Sequence, residues 1–170
     1  MAIIRSAHED DLPSILTIYN QAILTSTATY DVIPQTFEMR RHWFAEKQSA
    51  GMPVLVVEDE IGVAGFGSFG QFRPWAGYRF SVEHSLYVAD KRQGRGHGKL
   101  LLAALIGIAT HQGVHTMLAG VDAANVVSLR LHRAFGFTEC GNFREIGYKF
   151  DSWRDLLMLQ KMLPQPTLPR

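Results

Sequence analysis

The chain has 170 residues, 46% hydrophobic and 19% charged, with formal net charge +1 and pI near 8.0. That is enough apolar material for one domain with a buried core, and so even a charge balance argues against a surface built for a polyanion such as nucleic acid. The one cysteine, Cys140, rules out an internal disulfide and fits a reducing compartment, with a buried spectator thiol as its plainest role.

In chain order, Met1-Ala2-Ile3-Ile4-Arg5 lacks the layout of a signal peptide, and no apolar run reaches the ~20 residues of a membrane span. A cytoplasmic protein with no membrane partner is the expectation. Ala2 to Ser6 reads as a strand. Asp10 or Asp11 then caps a helix with Pro13 in its first turn, and Leu12, Ile15, Leu16, Ile18 and Tyr19 form its inner face up to about Leu24. Thr25 to Pro34, which includes Tyr30, is polar and loop-like. A second helix is expected over Thr36 to Ala50, ended by Gly51-Met52-Pro53; its Arg40-Arg41-His42-Trp43 is a helix face, not a nucleic-acid stripe. Val54 to Glu58 and Val63 to Phe72 make strands around the turn Asp59-Glu60-Ile61-Gly62, with Phe69 and Phe72 as core strand residues.

Arg73-Pro74-Trp75-Ala76-Gly77-Tyr78-Arg79 breaks the sheet pattern before a strand from Ser81 to Val88. An apolar helix follows through Leu100, Leu101, Ala104, Leu105 and Ile108 to about Gly113. Next come a strand over His115 to Val121, a helix started by Asn125 over Val126 to Phe135 and closed by Gly136, and strands over Thr138 to Lys149 and Asp155 to Leu163. His111 and His115 straddle a helix end with Gly113 between them, which argues against a zinc site. The tail, residues 164–170, holds three prolines and reads as frayed beyond a single domain over residues 1–163.

Between the strand and the apolar helix lies Gln93-Gly94-Arg95-Gly96-His97-Gly98-Lys99. Alternate glycines let the backbone turn sharply and aim successive N–H groups at one point, and the helix start adds the positive end of its dipole. The result is an anion cradle suited to a pyrophosphate. A dinucleotide fingerprint would need glycine where Lys99 stands, and a P-loop would need glycine at Gln93 and a hydroxyl at Leu100. Backbone donors at Gly94, Gly96 and Gly98 are the main candidates, with at least one of Arg92, Arg95, His97 and Lys99 also meeting phosphate.

The pattern Q-x-x-G-x-G formed by Gln93 to Gly98, between strand and helix, resembles the acyl-CoA pyrophosphate loop of the GCN5-related N-acetyltransferase (GNAT) superfamily. The element order β-α-α-β-β-β-α-β-α-β-β resembles that superfamily too, and implies an α/β (α+β) fold with a mixed central sheet and helices on both faces. Within it, Val82-Glu83-His84-Ser85-Leu86-Tyr87-Val88, Asn125-x-x-Ser128-Leu129-x-Leu131-His132-x-x-Phe135-Gly136-Phe137 and Gly147-Tyr148-Lys149-Phe150-x-x-Trp153-x-Asp155 are similar to the phosphinothricin and methionine sulfone/sulfoximine N-acetyltransferases.

The resemblance implies acetyl transfer from acetyl-CoA, without a metal, to the α-amino group of a small amino acid or analogue, by a homodimer. An alkylammonium must lose a proton before it attacks a thioester, so a carboxylate beside it is the natural base, and Glu83 is the candidate. Unpaired N–H groups at Leu86 to Val88 are expected to receive the developing oxyanion and to pair with the pantetheine arm. Cofactor contacts are then Leu86, Tyr87, Val88, Gln93, Gly94, Arg95, Gly96, His97, Gly98, Lys99 and Asn125, the last doubling as an N-cap. His132 stands where many relatives carry a tyrosine acid, and is expected to act as acid or orienter. Substrate contacts are implied at Arg73, Pro74, Trp75, Glu83, His84 and Ser85, with Arg73 clamping a carboxylate. Tyr30 departs from relatives that carry tryptophan there, which bears on the acceptor's side-chain pocket. The rival readings are a non-catalytic acyl-CoA sensor, which Glu83 argues against, and an acetyltransferase acting on a polyamine or a protein N-terminus.

Overall fold

The computed structural model describes residues 1–164, so the expected tail lies, from residue 165 onward, outside the described residues. The strands are β1 (Ile3–Ser6), β2 (Val54–Asp59), β3 (Gly62–Gln71), β4 (Ser81–Val88), β5 (Thr116–Asp122), β6 (Thr138–Lys149) and β7 (Ser152–Met162), and the helices are α1 (Leu12–Thr25), α2 (Phe37–Ser49), α3 (His97–His111) and α4 (Val126–Ala134). All seven strands share one sheet in the order β1-β2-β3-β4-β5-β7-β6. Every neighbouring pair is antiparallel except β4 and β5, so the expected mixed sheet is present.

Period-two alternation along β2 sorts the core into two layers. Leu55 and Val57 join Leu101, Leu102 and Leu105 of α3 and Leu129 of α4 on one face. Val54 and Val56 join Leu12, Ile15 and Ile18 of α1 and Phe44 of α2 on the other. Helices therefore cover both faces. At roughly 25 cal/mol per Å² of apolar surface removed from water, this two-sided burial is the main stabilising contribution.

Several local expectations need correcting. Asp11 does not cap α1 with its side chain; it grips Arg5 in a two-pronged pair at 2.7 and 2.9 Å and accepts the His8 N–H at 2.8 Å, which ties β1 to a 3-10 turn at Glu9–Asp11. Thr36 does cap α2, its hydroxyl accepting from the Met39 N–H at 3.2 Å. β3 stops at Gln71, so Phe72 is half-exposed and stacks edge-on against Tyr78, while Phe69 is buried. β7 begins at Ser152 because Phe150 and Asp151, at φ of 53° and 54°, make a two-residue hairpin turn. Cys140 is exposed on edge strand β6 rather than buried. Among the described residues no helix is long and apolar enough to cross a membrane, and no cluster of three metal-ligating side chains occurs.

Candidate active site

The parallel pairing of β4 with β5 runs through Ser81↔Thr116, Val82↔Met117 and Glu83↔Leu118 and then ends. Both strands continue, but apart. Along β4 the odd-numbered backbone groups serve β3, since the Ala89 N–H donates to Ala64 and the Ser81 carbonyl accepts from Phe72, both at 2.9 Å. The even-numbered groups of His84, Leu86 and Val88 therefore face the split. An unpaired strand edge is thus presented inside the molecule, bordered by Glu83 where the split opens.

Two connected hollows occupy the split. The smaller, about 250 Å³, is walled by Glu83, His84, Ser85, Tyr30 and Asp122 among others. The larger, about 600 Å³, follows Leu86 to Val88 down to Gln93, Gly94, Gly96 and Gly98. Leu86, Tyr87, Asn125 and Ser128 border both.

Gly94 and Gly96 take φ of 77° and 87°, the left-handed region in which a side chain is strained, and they swing the chain into α3. α3 starts at His97, so Gly98 and Lys99 lie in its first turn. The Leu100 N–H is the first to reach a helical acceptor, the Gly96 carbonyl at 3.2 Å. The N–H groups of residues 97–99 are the first-turn donors that every α-helix leaves open. Gln93 reaches back to the Val88 carbonyl and to Asp90 at 3.3 and 3.2 Å. The four cations beside the loop divide into two pairs. His97 is buried with Nε2 3.3 Å from Asp59, Arg92 also pairs with Asp59, and both residues lie on the wall of the larger hollow. Arg95 and Lys99 are exposed and outside the wall. On that wall the loop offers an anion its backbone donors, with Arg92 and His97 beside them.

Glu83 projects beside Gly120 of β5, where an added Cβ would come within 3.2 Å of its Oε1. No hydrogen bond or ion pair engages its carboxylate among the described residues, Arg79 included. Crowding by protein raises the Glu83 carboxyl above its ordinary value, and the Arg73 guanidinium partly offsets this. Arg73 itself stacks over Phe72 at 4.8 Å, and Arg73, Pro74 and Trp75 are exposed and lie outside the pocket wall.

His84 and His132 are both buried, with their Nε2 atoms 3.0 Å apart. Nδ1 of His132 lies 2.7 Å from the Ser128 carbonyl, an acceptor only, so the proton sits on Nδ1 and Nε2 is a lone pair. His84 must then donate from its own Nε2, which leaves its Nδ1 bare and without a partner. Burial pushes His84 down to about 3, with the neighbouring His132 adding to the effect, and burial likewise lowers His132. Both rings are neutral near pH 7. The Asn125 carboxamide oxygen accepts from the Ser128 N–H at 3.1 Å, so the N-cap and a place on the wall coincide.

Sequence reasoning gave no role to Gly120 or Asp122, and none to Asp59 and Ser128 beyond their places in a turn and a motif. It also missed that the Tyr30 hydroxyl reaches Asp122 at 3.0 Å across 92 residues. No local pattern marks contacts of that range.

Residues 4–158 match the family described as Acetyltransferase (GNAT) domain. Over 167 residues the chain is 43% identical to the L-methionine sulfoximine/L-methionine sulfone acetyltransferase of Pseudomonas aeruginosa, covering 98% of this chain and 96% of that protein. Its fold superposes on an N-acetyltransferase from Staphylococcus aureus Mu50 with a TM-score of 0.95 at 43% identity, over 96% of this chain and 99% of that one. A GNAT superfamily phosphinothricin acetyltransferase from Sinorhizobium meliloti, solved in complex with acetyl-CoA, superposes at 0.94 with 35% identity, over 99% and 92%.

Proposed function

This chain belongs to the GNAT acetyltransferase family, and from that premise we propose that it acetylates the α-amino group of a small amino acid or analogue of the methionine sulfone, methionine sulfoximine or phosphinothricin type, with Glu83 as the base. Acetyl-CoA is the co-substrate of such enzymes and supplies an acyl group already activated as a thioester. The observation that carries the reading is the split after Glu83, which joins one carboxylate, one free strand edge and one glycine cradle in a continuous cleft.

Each part has a task. The open amides from Gly94 to Lys99 hold the diphosphate. The even-numbered edge of β4 pairs with the extended arm, and an N–H at Leu86 or Val88 steadies the thioester oxygen as charge gathers on it. Glu83 takes the proton from the ammonium; its raised value brings it closer to the working pH and so to the efficiency a base needs. As the N–C bond forms, the C–S bond breaks, the electron pair leaves with sulfur, and the surplus proton on the acylated nitrogen passes to that thiolate, directly or through water, to give the amide and free CoA. We assign His132 the role of orienter, because its one proton is held by the Ser128 carbonyl and its free nitrogen is taken by His84.

One observation favours a second acceptor class. None of the described residues lining the smaller hollow is lysine or arginine, while Glu83 and Asp122 are both there, a balance that suits an amine lacking a carboxylate. Arg73, whose charge lowers the Glu83 value from outside that wall, is the cation an amino acid's carboxylate would have to reach. A homodimer belongs to the proposal as well. The β6–β7 hairpin, exposing Phe143, Ile146, Tyr148 and Trp153, is the face that supports it, and sedimentation is the check.

Thiol release from acetyl-CoA over a panel of amino acids, their amides and polyamines decides among these. Turnover restricted to free amino acids supports the main reading, turnover restricted to amides or polyamines supports the second, and binding without turnover on any amine leaves only a sensor.

A further inference from the structure

We propose that Tyr30 is the specificity-determining wall of the acceptor pocket, its ring setting an upper limit on the side chain an acceptor can carry. The inference rests on the acetyltransferase reading and deepens it. Tyr30 belongs to the loop between α1 and α2, and it lines the smaller hollow opposite Glu83's strand. A ring on a free loop would yield to a larger guest. This one is fixed on three sides.

Its hydroxyl donates to Oδ2 of Asp122 at 3.0 Å and lies 3.3 Å from the Asp155 carbonyl. Asp122 is itself buried and held by the Ala124 N–H at 2.9 Å. The ring packs against Gly147 of β6, where an added Cβ would come within 2.7 Å of two ring carbons. The adjacent Thr29 carbonyl accepts from the buried ammonium of Lys149 at 2.7 Å. The ring cannot retreat from the pocket without breaking these contacts or driving into the β6 backbone. The hollow it bounds, about 250 Å³, is smaller than the roughly 300–1,000 Å³ of drug-sized ligand sites, so an acceptor whose side chain needs the space the ring fills is shut out.

The test measures kcat/KM by thiol release for alanine, methionine sulfone, phenylalanine and tryptophan, with acetyl-CoA saturating. Tyr30→Ala should raise the tryptophan-to-methionine sulfone ratio at least tenfold, the scale on which hydrophobic pockets discriminate, and leave the KM for acetyl-CoA within twofold. Tyr30→Phe keeps the ring and should keep the ratio, while lowering the melting temperature. Gly147→Ala pushes the ring inward and should lower the ratio, which decides the matter if Tyr30→Ala folds poorly. A ratio unmoved by Tyr30→Ala, or by Gly147→Ala in that case, would overturn the inference. So would a Tyr30→Phe protein that changes selectivity as much as Tyr30→Ala. Absence of turnover by the wild type with every amine would remove the acetyltransferase reading itself, whereas turnover with an unmoved ratio removes only the role of Tyr30.

Discussion

Glu83 occupies the last paired position before β4 and β5 part, so its carboxylate has backbone on both flanks and an open cleft ahead. Replacing it with Gln keeps the shape and removes the basic lone pair, and kcat should fall by ~10²-fold or more in the thiol-release assay with KM for acetyl-CoA little changed. The base must be ionised to act. With its value raised above the ordinary 4.5, the rate should climb with pH along an acid limb displaced upward and then level off. The guanidinium of Arg73 holds that value down in part, so Arg73→Ala should move the limb higher still, and a limb that moves lower or not at all would refute the coupling. The His84 and His132 pair acts on stability. An imidazole held at about 3 when folded, against 6.5 when not, is neutral in the native state while the unfolded chain takes the proton first. Its contribution is therefore intact above pH ~6.5 and drains at ~1.4 kcal/mol per unit as pH falls toward 3. Urea unfolding at pH 6.5 and 5 should reveal about 2 kcal/mol of loss, and the His84→Leu/His132→Leu double variant should be spared it.

The glycine loop and the first turn of α3 work as one element, and their geometry separates glycines that sequence alone treats alike. Gly96 sits at φ 87° and Gly98 lies in the helix, where an added Cβ would touch Leu131 at an ordinary 3.4 Å. Gly96→Ala should cost about 1–2 kcal/mol of strain, seen as lower stability to urea and as CoA binding weaker by roughly 5- to 30-fold in calorimetry, while Gly98→Ala, free of that strain, should leave stability nearly unchanged. Equal effects would contradict the backbone-cradle argument. The elements themselves were legible because each carries its own local pattern: the alternation of β2, the apolar stripe of α1, the Thr36 and Asn125 caps and the glycine spacing all act within a few residues. The directions of charged side chains were not. Arg92 and His97 were candidates for phosphate by their place beside the loop, and both do lie on the wall of the larger hollow, but their pairing with Asp59, 33 residues before Arg92 in the chain, is marked by nothing local. Tyr30 and Asp122 meet only because α1, β5 and the β6–β7 hairpin converge, and nothing near either residue signals that meeting.

At the scale of the whole molecule, the sheet is continuous from β1 to β6 but weakest where β4 meets β5, since pairing there ends at Glu83 and Leu118. On one side stand β1 to β4 with α1, α2 and α3; on the other stand β5 to β7 with α4. A coenzyme seated in the cleft as proposed would touch both, with the loop before α3 on one bank and Asn125 and Val127 on the other. It should stabilise the fold as a bridging strand would. A ligand at 100 times its Kd adds about 2.7 kcal/mol, which for a chain of this size is a rise in melting temperature of about 5–10 °C. Wild type and Glu83→Gln should gain equally with CoA, since the proposal has Glu83 act on the amine and not on the diphosphate. Gly96→Ala should gain visibly less at the same concentration. Amino acids alone should add little, because the smaller hollow spans less of the gap. If CoA left the melting temperature of wild type unchanged at concentrations that saturate turnover, the split between β4 and β5 would not be the seat of the coenzyme, and the assignment of the open amides would fall with it.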